Sequence, residues 1–416
     1  MIGEFKKNKQ ILYVFLIFSF PIFYILGSLF LNVSLVLVSL YFFFNYFKVV
    51  EKNKLIIFFF ILFSFFIINS ILSYDKILSF YKSSAYLRYF FFSVGLILIL
   101  SSISDKSLRL VSKLFIFLTI FLILDIFVEY IYGKDLFGNN DGAIYNRLSG
   151  PFGDEWIAGF FLLYFGFLSM GFFSKYHNIP KIFYFLFTII LIYTIYLTGE
   201  RNAFFSSLIF LILITILDKK HRITFFSSFC VIVFLFILSN KFNVVQNKYS
   251  FKSINTLNVI KSEFGDDVTK KIENKKITKI ALENQWIQHY LSAYYIFREN
   301  LFFGSGFRTF KSVCLMNKES KKYLCSSHPH NIYFELLSDV GLVGFLIFLF
   351  IFTIPILFFL KKFNSLDVGS KIFFVLFIVY IFPIKPHGSL FTTSFASMLW
   401  FLYSINIYYL HNEKKK

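Results

Sequence analysis

His328 and His330 close a long polar segment, and an apolar run opens directly behind them at Asn331 and Ile332. Imidazole exchanges protons near neutral pH, so a histidine at such a junction is suited to taking a proton from an attacking hydroxyl. Asn331 beside it has the side chain of a helix cap, and His328 reads as an orienting neighbour of His330. Arginines supply the second half of a possible chemistry. Arg201 sits in Thr198-Gly199-Glu200-Arg201-Asn202-Ala203, between two apolar runs. Its planar fork can donate two parallel hydrogen bonds to phosphate oxygens. Adjacent residues on a helix point apart, so Glu200 is not its natural partner. Arg147 lies in Asn146-Arg147-Leu148-Ser149-Gly150-Pro151-Phe152-Gly153-Asp154, suited to holding phosphate or anchoring its loop. Arg88 lies inside an apolar run, where a charge is costly and usually faces a wet cavity or the protein interior. Arg298 and Arg308 flank Gly304-Ser305-Gly306, read as a flexible turn. One of the two is expected to approach substrate, and the sequence does not choose between them. Lys385 and His387, in Lys385-Pro386-His387-Gly388, are candidates to line the same cavity. Asp125 and Glu129, four apart on one helical face, read as structural or cavity-lining. Asp266-Asp267 has no companion acid cluster and is not read as a metal site.

These residues must be held by elements made almost entirely of apolar sequence. Of 416 residues, 57% are hydrophobic and 16% charged, and the mean hydropathy is +0.69, which excludes a soluble globular protein. Such a chain needs lipid to cover its surface. Apolar stretches of spanning length fall near 11–31, 33–47, 55–73, 84–103, 110–132, 155–173, 181–198, 202–217, 223–239, 331–360, 372–384 and 389–410. The expected fold class is therefore an all-α integral membrane protein of about twelve transmembrane helices. No small-residue cleavage site follows the first apolar run, which is read as a span.

The net charge of +19 would suggest nucleic acid in a soluble protein, but here the cations mark topology. With the N-terminus inside, the inner segments carry twenty Lys/Arg and the short outer loops six, an asymmetry that predicts both ends inside. Three regions follow: 1–239 with nine helices, a periplasmic loop 240–330, and 331–416 with three helices. The loop holds 15 Lys/Arg against 7 Asp/Glu, a surface able to attract anionic groups. Within it, Thr278 to Glu299 has the apolar spacing of an amphipathic helix. Cys314 and Cys325 share this oxidising side and are a disulfide candidate that would restrict the approach to His328 and His330. Cys230 lies in an apolar run and reads as an inert thiol.

The spacing His330-Asn331, nine residues, Gly341, two residues, Gly344 resembles the signature of the bacterial O-antigen ligase and polymerase superfamily. Thr198-Gly199-Glu200-Arg201 and Arg147-Leu148-Ser149-Gly150-Pro151-Phe152 resemble further segments of it, although Asp154-Glu155-Trp156 stands where Asn-Pro is common. Arg88 and the Lys385–Gly388 loop also match positions in this group. The resemblance implies an inverting glycosyltransferase of the inner membrane, active at its periplasmic face without metal or other cofactor. Its donor would be an undecaprenyl-diphosphate-linked glycan, and its acceptor a lipid A–core sugar (ligase) or another lipid-linked glycan (polymerase). Beside the membrane lipids no nucleic-acid partner is implied. In that scheme His330 is the general base, Arg201 and Arg88 hold the diphosphate, and Arg147, Arg298, Arg308, His328, Asn331, Lys385 and His387 contact substrate. The ligase reading is preferred. A flippase of lipid-linked oligosaccharide is the alternative of another class, and would require binding residues at mid-membrane.

Overall fold

A computed structural model describes residues 2–45, 52–139, 147–153, 155–241 and 284–412. Asn146, Asp154, Asp266, Asp267, the opening of the amphipathic stretch at 278–283 and much of the 240–330 loop lie outside the described residues. Among the described residues the structure is helical, without strands. The helices are α1 Ile2–Ile25, α2 Ser28–Asn45, α3 Lys52–Leu72, α4 Lys76–Ser102 and α5 Asp105–Tyr132. They continue as α6 Ala158–Tyr176, α7 Lys181–Leu197, α8 Arg201–Leu217, α9 Arg222–Lys241, α10 Gln285–Glu299 and α11 Phe310–Met316. The chain ends with α12 Ile332–Lys362, α13 Val368–Tyr380 and α14 Thr393–Asn412.

Every apolar stretch read from the sequence falls on one of these helices, with shifted ends. The first break comes at Leu26-Gly27 and not after residue 31, because Gly27 takes φ 97° inside a run whose apolar character is continuous. Among the described residues seven of the helices are long and apolar enough to cross a membrane, and α3 (over Ile57–Leu72), α7, α8 and α13 are shorter apolar helices. A bilayer gives no hydrophobic drive for helix association, so packing must come from shape and side-chain contact. Phenylalanine supplies much of it. Phe20 stacks on Phe401 at 4.2 Å, Phe167 on Phe210 at 3.9 Å and Phe359 on Phe374 at 3.6 Å. Around this core α4 packs against α2 and α14, and α6 against α5 and α13.

Two ends can be distinguished by following the chain. One carries the α6–α7, α8–α9 and α12–α13 turns, which enclose a cavity of about 400 Å³ lined by groups including His177, Lys220, Asp367 and Lys371. Its charges are largely paired: Asp218 meets His221 at 2.7 Å and Lys371 at 3.0 Å, and Lys175 meets Asp367 at 2.6 Å. Burial raises the Asp218 carboxyl, but the bonds from His221 and Lys371 outweigh it and hold it low. This network reads as a clamp between turns. The histidines and most of the arginines singled out above sit at the other end, while Arg88 lies midway along α4.

The irregular feature that shapes that end is a break in α12. Gly341 takes φ 66°, ψ −169°, so the helix is interrupted one turn before Gly344. The segment 301–306 fills the break. Leu342 N–H donates to Leu301 C=O at 2.8 Å and Val343 N–H to Phe302 C=O at 3.0 Å. In return Ser305 N–H donates to Ser338 C=O at 2.9 Å and Gly306 N–H to Asp339 C=O at 3.0 Å. Backbone groups freed by the break are thus satisfied locally, as an apolar setting demands. Asn69 of α3 adds bonds from its amide to the Phe303 and Asp339 carbonyls, at 2.5 and 3.2 Å. The glycines of this turn, expected to be flexible, are pinned: they permit backbone-to-backbone contact.

Candidate active site at the polar end of the bundle

α12 begins with Asn331 as its cap, whose side-chain oxygen accepts from Tyr333 N–H at 3.0 Å and Phe334 N–H at 3.3 Å. Its amide donates to Pro383 C=O at 2.8 Å, which ties the start of α12 to the loop before α14. The loop between α13 and α14 is sewn to the start of α12 by more bonds of this kind. Tyr333 Oη donates to Ile381 C=O, and His387 N–H donates to His330 C=O at 2.7 Å. Glu335, one turn inside α12 and buried, accepts from Ser389 Oγ and, at 2.7 Å, from Leu390 N–H.

This framework presents His330. Its backbone has φ 56°, and it and Arg308 (φ 59°) are the two non-glycine residues at positive φ among those described. Such a conformation costs about 1–3 kcal/mol and persists where the surroundings impose it, often at functional sites. The His330 ring is half-buried, lies 4.1 Å from the His328 ring and 4.9 Å from the His289 ring, and meets Trp286 edge-on at 5.2 Å. Its ring nitrogens have no hydrogen-bond partner among the described residues. The other imidazoles are engaged: His328 Nε2 lies 3.2 Å from His387 C=O, His289 Nδ1 3.1 Å from Leu324 C=O, and His387 Nδ1 2.7 Å from Gly388 C=O. Burial pushes His330 down to about 3, with the other histidines adding repulsion, and pushes His328 down to about 4 and His387 to about 3. Burial thus favours the neutral form of His330, His328 and His387 at neutral pH. Among the described residues no three His, Cys, Asp or Glu side chains are grouped as metal ligands.

Arg201 starts α8 and is exposed, with no hydrogen-bond partner among the described residues. Its neighbour Glu200 turns the other way and caps α6, accepting from Gly159 N–H at 2.5 Å and Phe160 N–H at 3.1 Å, where the helix dipole favours a carboxylate. Burial nevertheless pushes Glu200 up to about 7, against the pull of those bonds and of Arg147. Arg147 lies over the Trp156 ring at 5.1 Å, and its segment is held by Leu148 N–H to Thr198 C=O at 3.3 Å. Glu129 accepts from Ser149 N–H at 3.2 Å and Gly150 N–H at 2.7 Å, so this acid positions the Arg147 segment. Asn202 donates to Pro386 C=O at 2.7 Å, which joins the Arg201 turn to the loop bonded to His330. Hydrogen bonds thereby link the Arg147 segment, the Arg201 turn, the His387 loop and the His328–His330 stretch in sequence.

The remaining candidates separate. Arg308 follows Phe307, whose N–H donates to Asn69 Oδ1 at 3.0 Å and Ser79 Oγ at 2.9 Å, and it acts electrostatically on His328 and Glu335. Arg298 is exposed at the end of α10 and acts on Glu319, away from the histidines. Arg88 donates to Tyr89 Oη at 3.0 Å and Thr393 Oγ1 at 3.4 Å. Lys385 is buried, donating to Tyr164 Oη at 3.0 Å, beside a π-helical turn of α6 at Leu162–Gly166. Burial pushes its amine down to about 7. Cys314 and Cys325 are joined by a disulfide with a Cα–Cα distance of 5.6 Å, fastening α11 to the approach to His328. Sequence reasoning missed His289 and Glu335. Each shares its buried helical face with other polar residues, His289 with Gln288 and Ser292, Glu335 with Ser338 and Asp339.

Apolar helices of membrane-crossing length, closed at one end by a surface of histidines and arginines, define a multi-pass membrane protein with an interfacial polar site. Residues 186–349 match the family model described as O-antigen ligase. The match includes Arg201, Arg298, Arg308, both bonded cysteines, His328, His330, Asn331, Gly341 and Gly344, and leaves out Arg88, Arg147, Lys385 and His387. No curated protein matches the chain.

Proposed function

We propose that the protein is an inverting glycosyltransferase of the ligase type. It moves a glycan from undecaprenyl diphosphate to a lipid A–core sugar at the periplasmic face of a bacterial inner membrane. Twelve helices span the bilayer, with both chain ends inside. The observation that supports the reading is His330: an imidazole whose ring has no hydrogen-bond partner among the described residues, at φ 56°, on a stretch bonded to the loop that Asn202, next to Arg201, also holds. His330 takes the proton of the acceptor hydroxyl as its oxygen forms a bond to the anomeric carbon. The bond from that carbon to the diphosphate oxygen breaks on the opposite face, and the electron pair leaves with the diphosphate. Arg201, with Arg147 behind it, stabilises the charge developing there, so that no metal is required. The flippase reading calls for binding residues at mid-span, whereas the groups assembled here stand at helix ends.

The test uses purified protein in lipid with an undecaprenyl-diphosphate-linked glycan and two alternative acceptors. Transfer to lipid A–core supports the ligase, whereas growth of the glycan on the carrier alone makes the protein a polymerase. Arg201→Ala is expected to lower kcat/KM for donor about 100-fold, with Arg201→Lys intermediate because it keeps the charge but loses the fork. Unchanged kinetics in Arg201→Ala would remove that arginine from the mechanism.

The protonation of His330 can be read separately. Free imidazole titrates near pH 6.5 and reacts with acylating reagents only when neutral. Because His330 is held at about 3, its carbethoxylation, followed by mass spectrometry, is expected to stay level from about pH 8 to about pH 5. A decline centred near pH 6.5 would contradict the burial argument.

A further inference from the structure

The cavity of about 400 Å³ at the opposite end of the bundle from the histidines has no part in the chemistry above. Its walls are the α6–α7, α8–α9 and α12–α13 turns, and the acids that line it are already engaged. Asp218 accepts from His221 Nδ1, from His221 N–H and from Lys371. Asp367, the cap of α13, accepts from Lys175 and from Ser370 N–H. Lys219 and Lys220 line the same cavity, are exposed, and form no ion pair among the described residues. His177 on a further wall meets Ser112 of α5 at 3.1 Å and lies in the fields of Arg109 and Lys113 from that helix. Asp105, at the start of α5, acts on the neighbouring Tyr176. Lys175, Lys219, Lys220 and Lys371 outnumber the two aspartates, and Arg109 and Lys113 outnumber Asp105, so cations are in excess here. A concave site of this volume with such an excess concentrates anions.

The rest of the lining includes apolar side chains: Ile179, Leu217, Phe363, Leu366 and Val368. Leu217 at the end of α8 and Phe363 after α12 pack on one cluster built around Phe359 and Phe374, which sets the ends of α8 and α12 side by side. Ile216 of α8 and Leu360 of α12, each within a turn of those two residues, are exposed on apolar helices. The apolar wall thus runs on into faces that acyl chains must cover, and a free phosphate would leave that wall unused. We propose that the cavity binds the phosphate headgroup of an anionic phospholipid, with Lys219 and Lys220 meeting the phosphate and the chains lying along α8 and α12. On the topology given under Proposed function the lipid comes from the inner leaflet, the side on which basic pockets between helices take such headgroups. Binding itself depends neither on that orientation nor on glycan transfer.

The purified full chain in neutral detergent is titrated with phosphatidylglycerol and with phosphatidylcholine of the same acyl chains, and bound lipid is read by native mass spectrometry. Phosphatidylglycerol is expected to bind about tenfold or more tightly, and the Lys219→Gln/Lys220→Gln double variant to lose that preference. Lys9→Gln, on an exposed lysine of α1 outside the lining, is the control for the general positive charge of the protein and should keep the preference. Equal binding of the two lipids by wild type, a preference that survives the double variant, or an equal loss in Lys9→Gln overturns the proposal. Glycerol phosphate, the headgroup without its chains, is added as competitor. Displacement at the concentrations at which phosphatidylglycerol itself binds would make this a site for a soluble phosphate and overturn the lipid assignment; weaker displacement upholds it. Both lysines are exposed, so the double variant should melt as wild type does, and Lys220→Gln alone is read in the same way if it melts early.

Discussion

A His330→Asn protein is expected to fold as the wild type does and to transfer glycan at least about 100-fold more slowly, the usual contribution of a positioned general base. Asparagine tolerates positive φ better than other non-glycine residues, so the backbone at φ 56° is retained. What disappears is a nitrogen able to take up a proton; the asparagine amide is not basic. The ring of His330 bonds to nothing among the described residues, so no fold-supporting hydrogen bond is lost with it. Its backbone C=O, which does hold the His387 N–H, is untouched. Thermal unfolding of the purified variant should match wild type within a few degrees while single-turnover transfer collapses. Equal activity in the variant would leave His330 as a packing residue and return the base to another group.

Gly341→Ala is the second large effect, and it acts on the frame. An added Cβ would lie 2.4 Å from Gly304 N and 2.5 Å from the Phe302 C and O atoms, all of them backbone. No side-chain rotation relieves that contact, and φ 66° adds strain for any L side chain. The 301–306 segment must move away, taking with it the bonds to Ser338, Asp339, Leu342 and Val343. Losing a buried backbone network of this kind is expected to destabilise by more than about 4 kcal/mol, at the extreme for one substitution. Gly304→Ala should do the same, since its Cβ would lie 2.4 Å from the Asp339 carbonyl carbon. Leu346→Ala, on the exposed side of α12, is the control and should change little. Yield and melting in detergent measure all three. A Gly341→Ala protein as stable as the control would mean that the loop does not dock as described.

His330 as a base and Asn331 as a cap were readable from residue type, whereas Gly341 and Gly344 were readable only as part of a resemblance; the left-handed break and the close approach they serve come from the fold. The partner of Gly341 was not readable. Gly304 precedes it in sequence by a helix start and a disulfide-bonded turn, and only the fold makes their backbones touch. The same holds for Lys385 and Tyr164, and for Glu335 with Ser389: local sequence gives no sign that a buried acid will bond a loop beyond the next helix. Arg298 and Arg308 could not be ranked from sequence because both flank the same turn. Bonds from Phe307 to Asn69 and Ser79, far earlier in the chain, hold Arg308 where its charge acts on His328. Helix existence followed from apolar runs. Helix ends did not, since an apolar run continues through Gly27 without marking where the backbone turns.

The most direct test of the central claim is single-turnover transfer by purified protein in lipid, supplied with undecaprenyl-diphosphate-linked glycan and lipid A–core, wild type against His330→Asn. Formation of core-linked glycan by wild type and its loss in the variant is the predicted result. Lipid-linked sugar that crosses the bilayer without being transferred, or product formed equally by both proteins, would contradict it.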